Sequence, residues 1–169
     1  LFSAIERLIS SNLIHIHCDL IFGLPGETLD DVLKSFEEVC MLRPHELQLG
    51  FLKFLPGAPI KNIITDYGYK YQSTPPYEFI SNNDLSASQL NYLKKFEEVF
   101  DIFYNSKRFR FTVQRLLKKL PAVNIFNSLL EYMESKNLFN QPHSLNAQYK
   151  IIHDTFTLDS TSATLDILR

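Results

Sequence analysis

The sequence predicts an α/β segment followed by an all-α segment. The first observation is an apolar run, Leu13 to Phe22, free of proline and glycine until Gly23. The second is the switch to a spacing of three and four after Thr28, at Leu29, Val32, Leu33, Phe36, Val39, Cys40 and Leu42, which is helical. The third is that helical spacing returns at Ser86 and persists, with no further strand-like run.

The apolar run ends in Gly23-Leu24-Pro25-Gly26-Glu27-Thr28, a turn that opens a helix. Thr28 with Asp31 three residues later predicts a capping box. Gly23 and Gly26 permit backbone torsions and close approaches that side chains forbid. Ligands of α/β proteins sit at the carboxyl ends of parallel strands, which places a candidate site at this turn.

Ahead of the strand, Phe2, Ile5, Leu8 and Ile9 predict a helix over residues 1–12. Side chains alternate along the strand. Ile14, Ile16, Cys18, Leu20 and Phe22 share an apolar face, and His15, His17, Asp19 and Ile21 share the other. A strand between two helix layers is apolar on both faces. One polar face fits a barrel strand with a partly polar lumen, or an edge strand with a solvated face.

Pro44 stops the helix near residue 42, because proline disfavours helical torsions in the residue before it. Leu47 to Phe54 predicts a second strand, and strand–helix–strand with short connections predicts a right-handed parallel βαβ unit. It ends in the Leu55-Pro56-Gly57-Ala58-Pro59 turn. Domain bounds follow: βα units over 1–62, a connector over 63–85, and a helical domain over 86–169. Tyrosines and Pro75-Pro76 mark the connector, with short strands expected at 69–72 and 77–80. Helices are expected from Ser86, capped with Gln89, to about Tyr104, at 110–119, from Pro121 to about Lys136, from Ser144 to about Phe156, and weakly at 159–169. Their aromatic stripes read as core.

Composition bounds the function. At 169 residues, 45% hydrophobic and a net charge of −2, the chain suits one domain and part of another, without the basic excess that nucleic acid or an anionic membrane attracts. Lys94-Lys95, Lys107-Arg108 and Lys118-Lys119 read as solvated faces. No apolar run approaches the ~20 residues of a membrane span. Two cysteines, Cys18 and Cys40, fit a reducing, cytoplasmic setting and not a disulfide scaffold. The sequence starts without methionine inside one expected helix and ends inside another, so it is expected to be a fragment of a longer protein.

His15, His17 and Asp19 could hold a metal or line a polar lumen. Alternate residues lie about 6–7 Å apart and no further ligand clusters with them, so the lumen reading is adopted and no metal site is assigned. Gly23 to Thr28 could hold an anion through backbone amides. The phosphate-loop lysine and the dinucleotide glycine pattern are both missing.

Ile16 through Thr28, with its Asp-Leu-Ile-Phe-Gly-Leu-Pro-Gly-Glu-Thr core, resembles the fifth strand and turn of radical SAM (S-adenosylmethionine) enzymes. Leu47–Phe54 and the Pro-Gly-Ala-Pro turn resemble their sixth strand. Arg43 through Lys53 is similar to the subgroup with an N-terminal cobalamin (B12)-binding domain and a helical C-terminal domain of unknown function. The resemblance implies the last units of a partial TIM-like barrel. It implies adenine contacts from Ile21 and Gly23, an approach by Leu52 and Leu55, and Asp19 standing where the motif usually has its first glycine. Glu27 is read as a turn residue. The cofactors implied for the parent are S-adenosylmethionine and a 4Fe-4S cluster whose three cysteines lie outside this chain, with cobalamin bound by the N-terminal domain.

The parent is therefore expected to be an enzyme, and the fragment alone inactive, with no tightly bound cofactor. Its expected partner is the rest of its own polypeptide, with self-association through exposed strand edges and no nucleic acid or membrane. The alternative is a non-enzymatic helical interaction module, separated from the first reading by a Cys-x-x-x-Cys-x-x-Cys triplet upstream.

Overall fold

In the computed structural model, residues 2–11 and 13–158 are described. The elements run α1 (Phe2–Ser11), β1 (His17–Phe22), α2 (Leu29–Met41), β2 (Glu46–Phe51), a 3-10 turn (Pro59–Ile63), β3 (Lys70–Tyr71), β4 (Phe79–Ser81), α3 (Ala87–Phe100), a π segment (Asp101–Asn105), α4 (Arg110–Leu116), α5 (Ala122–Ser135) and α6 (Leu145–Leu158). The chain is mixed α/β and then helical. It divides into two compact units after Lys94, inside α3. The helix expected at 159–169 lies outside the described residues.

In the first unit β1 and β2 pair in parallel, from His17 opposite Glu46 to Phe22 opposite Phe51. α2 packs on one face of β1. Val32, Phe36 and Cys40 of α2 are fully buried, as are Leu47 of β2 and Phe22 at the end of β1. On β1, Cys18 and Leu20 are half-buried while His17, Asp19 and Ile21 are exposed. The alternation read from the sequence is therefore the one the strand adopts.

The strand is shorter than its apolar run. Leu13 and Ile14 stay outside it, Leu13 being 86% exposed. The register explains this: β2 begins opposite His17, and the Glu46 amide donates to the Ile16 carbonyl at 3.1 Å, so Leu13 and Ile14 lie beyond the start of the ladder. Arg43 turns the chain with φ 59°, and the Ile16 amide donates to His45 Nδ1 at 3.1 Å. β2 likewise stops at Phe51, short of Phe54. Its continuation leaves the parallel ladder and meets the connector, where the amides of Phe54 and Phe79 donate to the carbonyls of Tyr77 (2.8 Å) and Leu52 (3.0 Å). Lys53 forms an antiparallel bridge with Glu78. The connector is thus part of the first unit's fold, and its strands β3 and β4 pair antiparallel.

The second unit is helical and its core is aromatic. The rings of Phe100 and Phe126 meet edge to face at 4.9 Å, and those of Phe103 and Phe109 meet at a tilt, 5.2 Å apart. Ile125, Leu129, Met133, Ile152 and Phe156 fill the space around them, each nearly or wholly buried. The helix expected to Tyr104 is α-helical only to Phe100. The Ser106 amide then reaches five residues back to the Asp101 carbonyl at 3.0 Å, which widens the last turn.

Candidate functional site: the turn after the first strand and the open face beside it

The turn is held by its own sequence. Gly23 and Gly26 adopt φ of 89° and 76°, a region that side chains disfavour. The Glu27 carboxylate folds back so that Oε2 accepts the amides of Gly23 (2.9 Å) and Leu24 (3.2 Å). Burial pushes the Glu27 carboxyl up, against the lowering effect of those two bonds. Thr28 then caps α2: its Oγ1 accepts the Asp31 amide at 3.3 Å, and Asp31 Oδ2 accepts the Thr28 amide at 3.1 Å. The Thr28 hydroxyl and amide hold the Asp31 carboxyl below its usual range.

The connector closes the turn from outside. The Tyr69 hydroxyl donates to the Gly23 carbonyl at 2.8 Å, a buried bond, and burial raises the phenol. A Cβ on Gly23 would run into the Phe79 ring. Tyr69 packs edge to face with Phe54 at 4.9 Å and Phe79 at 6.2 Å. The amide, carbonyl and Cα face of Gly23 are therefore all occupied by protein. Neither Tyr69 nor Phe79 stood out in the sequence as a site residue. The connector has no periodicity to place them, and its tyrosines marked it in the sequence only as a connector with short strands.

The side of β1 away from α2 is open. His17 Nε2 lies 3.0 Å from Asp19 Oδ1, both side chains largely exposed. Ile21 is 52% exposed and sits opposite Gly50. A Cβ on Gly50 would meet only the Leu20 carbonyl, at 3.6 Å, so neither torsion nor crowding demands glycine there. Ile21 and bare backbone at Gly50 make a flat apolar shelf, bordered by Asp19 and its ladder partner Gln48. Below it, His15 and His45 have ring centroids 5.0 Å apart, and His15 Nε2 is 3.7 Å from Glu46 Oε2. Among the described residues no three such side chains form a metal-holding group.

The five expected site residues are thus dispersed. Asp19 and Ile21 share the open face, Gly23 is closed in, Leu52 is buried, and Leu55 is exposed on the turn after β2. Of the five, Asp19, Ile21 and Leu55 are the exposed ones. The two thiols suit no cluster: Cys18 is half-buried on the α2 side, and Cys40 is buried with its thiol pushed far up by desolvation.

No helix of the described residues is long and apolar enough to cross a membrane. A family model described as "Protein of unknown function (DUF4080)" matches residues 65–169, from the connector through the helical unit. No curated protein matches the chain.

Proposed function

The chain belongs to the DUF4080 family of proteins of unknown function, and we propose that it is the C-terminal part of a radical S-adenosylmethionine enzyme, of the class that also uses cobalamin. The observation that carries the reading is the parallel βαβ unit covered by α2 on one side and open on the other, with an apolar shelf at Ile21 and Gly50. In a complete barrel that open side would face the lumen, and the rest of the same polypeptide would supply the missing strands.

S-adenosylmethionine, when bound to a reduced iron–sulfur cluster, supplies a 5′-deoxyadenosyl radical. The cluster ligands are assigned to the upstream barrel. This chain's share is orientation. Ile21, with the half-buried backbone at Gly50, would take the adenine face, and Leu55 would border it from the turn after β2. Asp19 would offer a carboxylate at the polar margin. Gly23 would act indirectly, as the bend that Glu27 and Tyr69 hold in place, and Leu52 as buried packing where β2 meets the connector. The helical unit would be an accessory domain.

The test uses the whole parent polypeptide, reconstituted anaerobically with iron and sulfide, reduced, and given S-adenosylmethionine. Formation of 5′-deoxyadenosine is the expected result, with none from the isolated chain. A parent that lacks the upstream cysteine triplet and makes no 5′-deoxyadenosine would overturn the proposal in favour of a non-enzymatic helical interaction module.

A further inference from the structure

The helical unit contains a cleft that the reading above leaves unused. It lies between α5 and α6, beside the loop that joins them, and has a volume of about 390 Å³. That falls at the lower end of ligand sites, which span roughly 300–1,000 Å³. We propose that this cleft binds a small organic anion: an apolar body ending in a carboxylate.

The chemistry of the walls points to that class. Leu138, Ala147 and Ile151 make an apolar floor. Lys136, at the end of α5, and Lys150, on α6, stand at the rim. Among the described residues neither ammonium lies in ion-pair range of a carboxylate; Lys136 instead hangs over the Tyr132 ring, 6.0 Å from its centroid. The one carboxylate of the cleft is already engaged. Asp154 Oδ2 accepts the Tyr132 hydroxyl at 3.0 Å, and Oδ1 pairs with His153 Nδ1 at 3.1 Å. Those two bonds, with a smaller contribution from the Lys150 charge nearby, keep the Asp154 carboxyl below its usual range, so it is charged at neutral pH. Two ammoniums against one carboxylate leave the cleft with an excess of positive charge.

The loop beside the cleft is tied down at both ends. Asn137, with φ 51°, ends α5 in a left-handed turn in which the Leu138 amide donates to Met133 O (2.9 Å) and the Asn137 amide to Glu134 O (3.0 Å). Two of the last α5 carbonyls are consumed there and do not face a ligand as free acceptors. His143 Nε2 donates to the Leu138 carbonyl at 2.7 Å, because a carbonyl can only accept. Gln148, buried on α6, donates to the His143 carbonyl at 3.2 Å and ties the loop down from the other side.

The experiment titrates octanoate into the ¹⁵N-labelled chain, with octylamine as the charge-reversed control. Octanoate is expected to shift amides between 132 and 154 saturably, and octylamine is not. The Lys136→Gln/Lys150→Gln double variant replaces two exposed side chains and should fold as the parent sequence does. It is expected to bind octanoate about tenfold more weakly, the size of one charge-assisted hydrogen bond. Ala147→Leu fills the floor and is expected to abolish the shifts while the helical circular dichroism persists. No saturable shift with octanoate, equal binding of octylamine, or undiminished binding by either variant would overturn the proposal.

Discussion

Gly23 and Gly50 sit in one βαβ unit under opposite constraints. Gly23 needs its hydrogen twice over, for a φ of 89° and for the Phe79 ring that lies against it. Positive φ costs a side-chain-bearing residue about 1–2 kcal/mol, and displacing a packed ring adds about 1–3 kcal/mol. Gly23→Val should therefore lower unfolding free energy by about 2–5 kcal/mol, read as a fall in urea midpoint. Gly50→Ala should stay within about 0.5 kcal/mol of the parent sequence, since the added methyl meets only ordinary contact. Equal midpoints for the two variants would contradict this. The sequence showed that the glycine at position 23 permits a tight turn and a close approach. It did not show that the close neighbour would be Phe79, because that partner arrives from 56 positions downstream in an aperiodic connector.

The β1–α2 turn was legible in the sequence because its stabilising contacts are local. Thr28, Asp31 and Glu27 all bond within four residues of themselves, and a capping box is a pattern of fixed spacing. Strand ends were less legible. Leu13 and Ile14 carry strand-forming side chains, yet a strand needs a neighbour, and β2 starts too late to provide one. The end of β2 was hidden for the same reason, since residues 52–54 pair with connector residues that no local signal identifies.

The same turn carries a pH signature. Burial raises the Glu27 carboxyl, so the folded chain holds that proton more tightly than the unfolded chain, whose value is near 4.5. Folding thus favours the protonated form, and stability falls as pH rises from the unfolded value through the folded one. Glu27→Gln removes the ionisation and keeps an acceptor for the amides of Gly23 and Leu24. The unfolding free energy of the parent sequence minus that of Glu27→Gln should therefore decrease between pH 4 and pH 7. A difference that grows with pH would mean that the two amide bonds outweigh desolvation.

At the scale of the whole chain, the family match and the folding units do not coincide. The match begins at residue 65, whereas Tyr69 and Phe79 belong to the unit that contains β1 and β2. The start of the DUF4080 segment is thus a structural part of the βαβ unit, and the proposed ligand wall rests on it. Helix content and the aromatic cores could be read from spacing alone. The role of 65–81 as the cover of the β1–α2 turn could not, since it depends on contacts between segments some fifty residues apart.

The most direct test is the S-adenosylmethionine affinity of the whole parent polypeptide carrying Ile21→Asp. Ile21 is half exposed, so the change should spare folding, while a carboxylate on the shelf would have to be desolvated under an adenine ring. Phe111→Asp, on α4 and 82% exposed, is the matched control. Ile21→Asp is expected to weaken binding about tenfold or more, equivalent to roughly 1.4 kcal/mol, with Phe111→Asp unchanged. Equal affinity for the two folded variants would contradict the assignment of the open face as the S-adenosylmethionine wall.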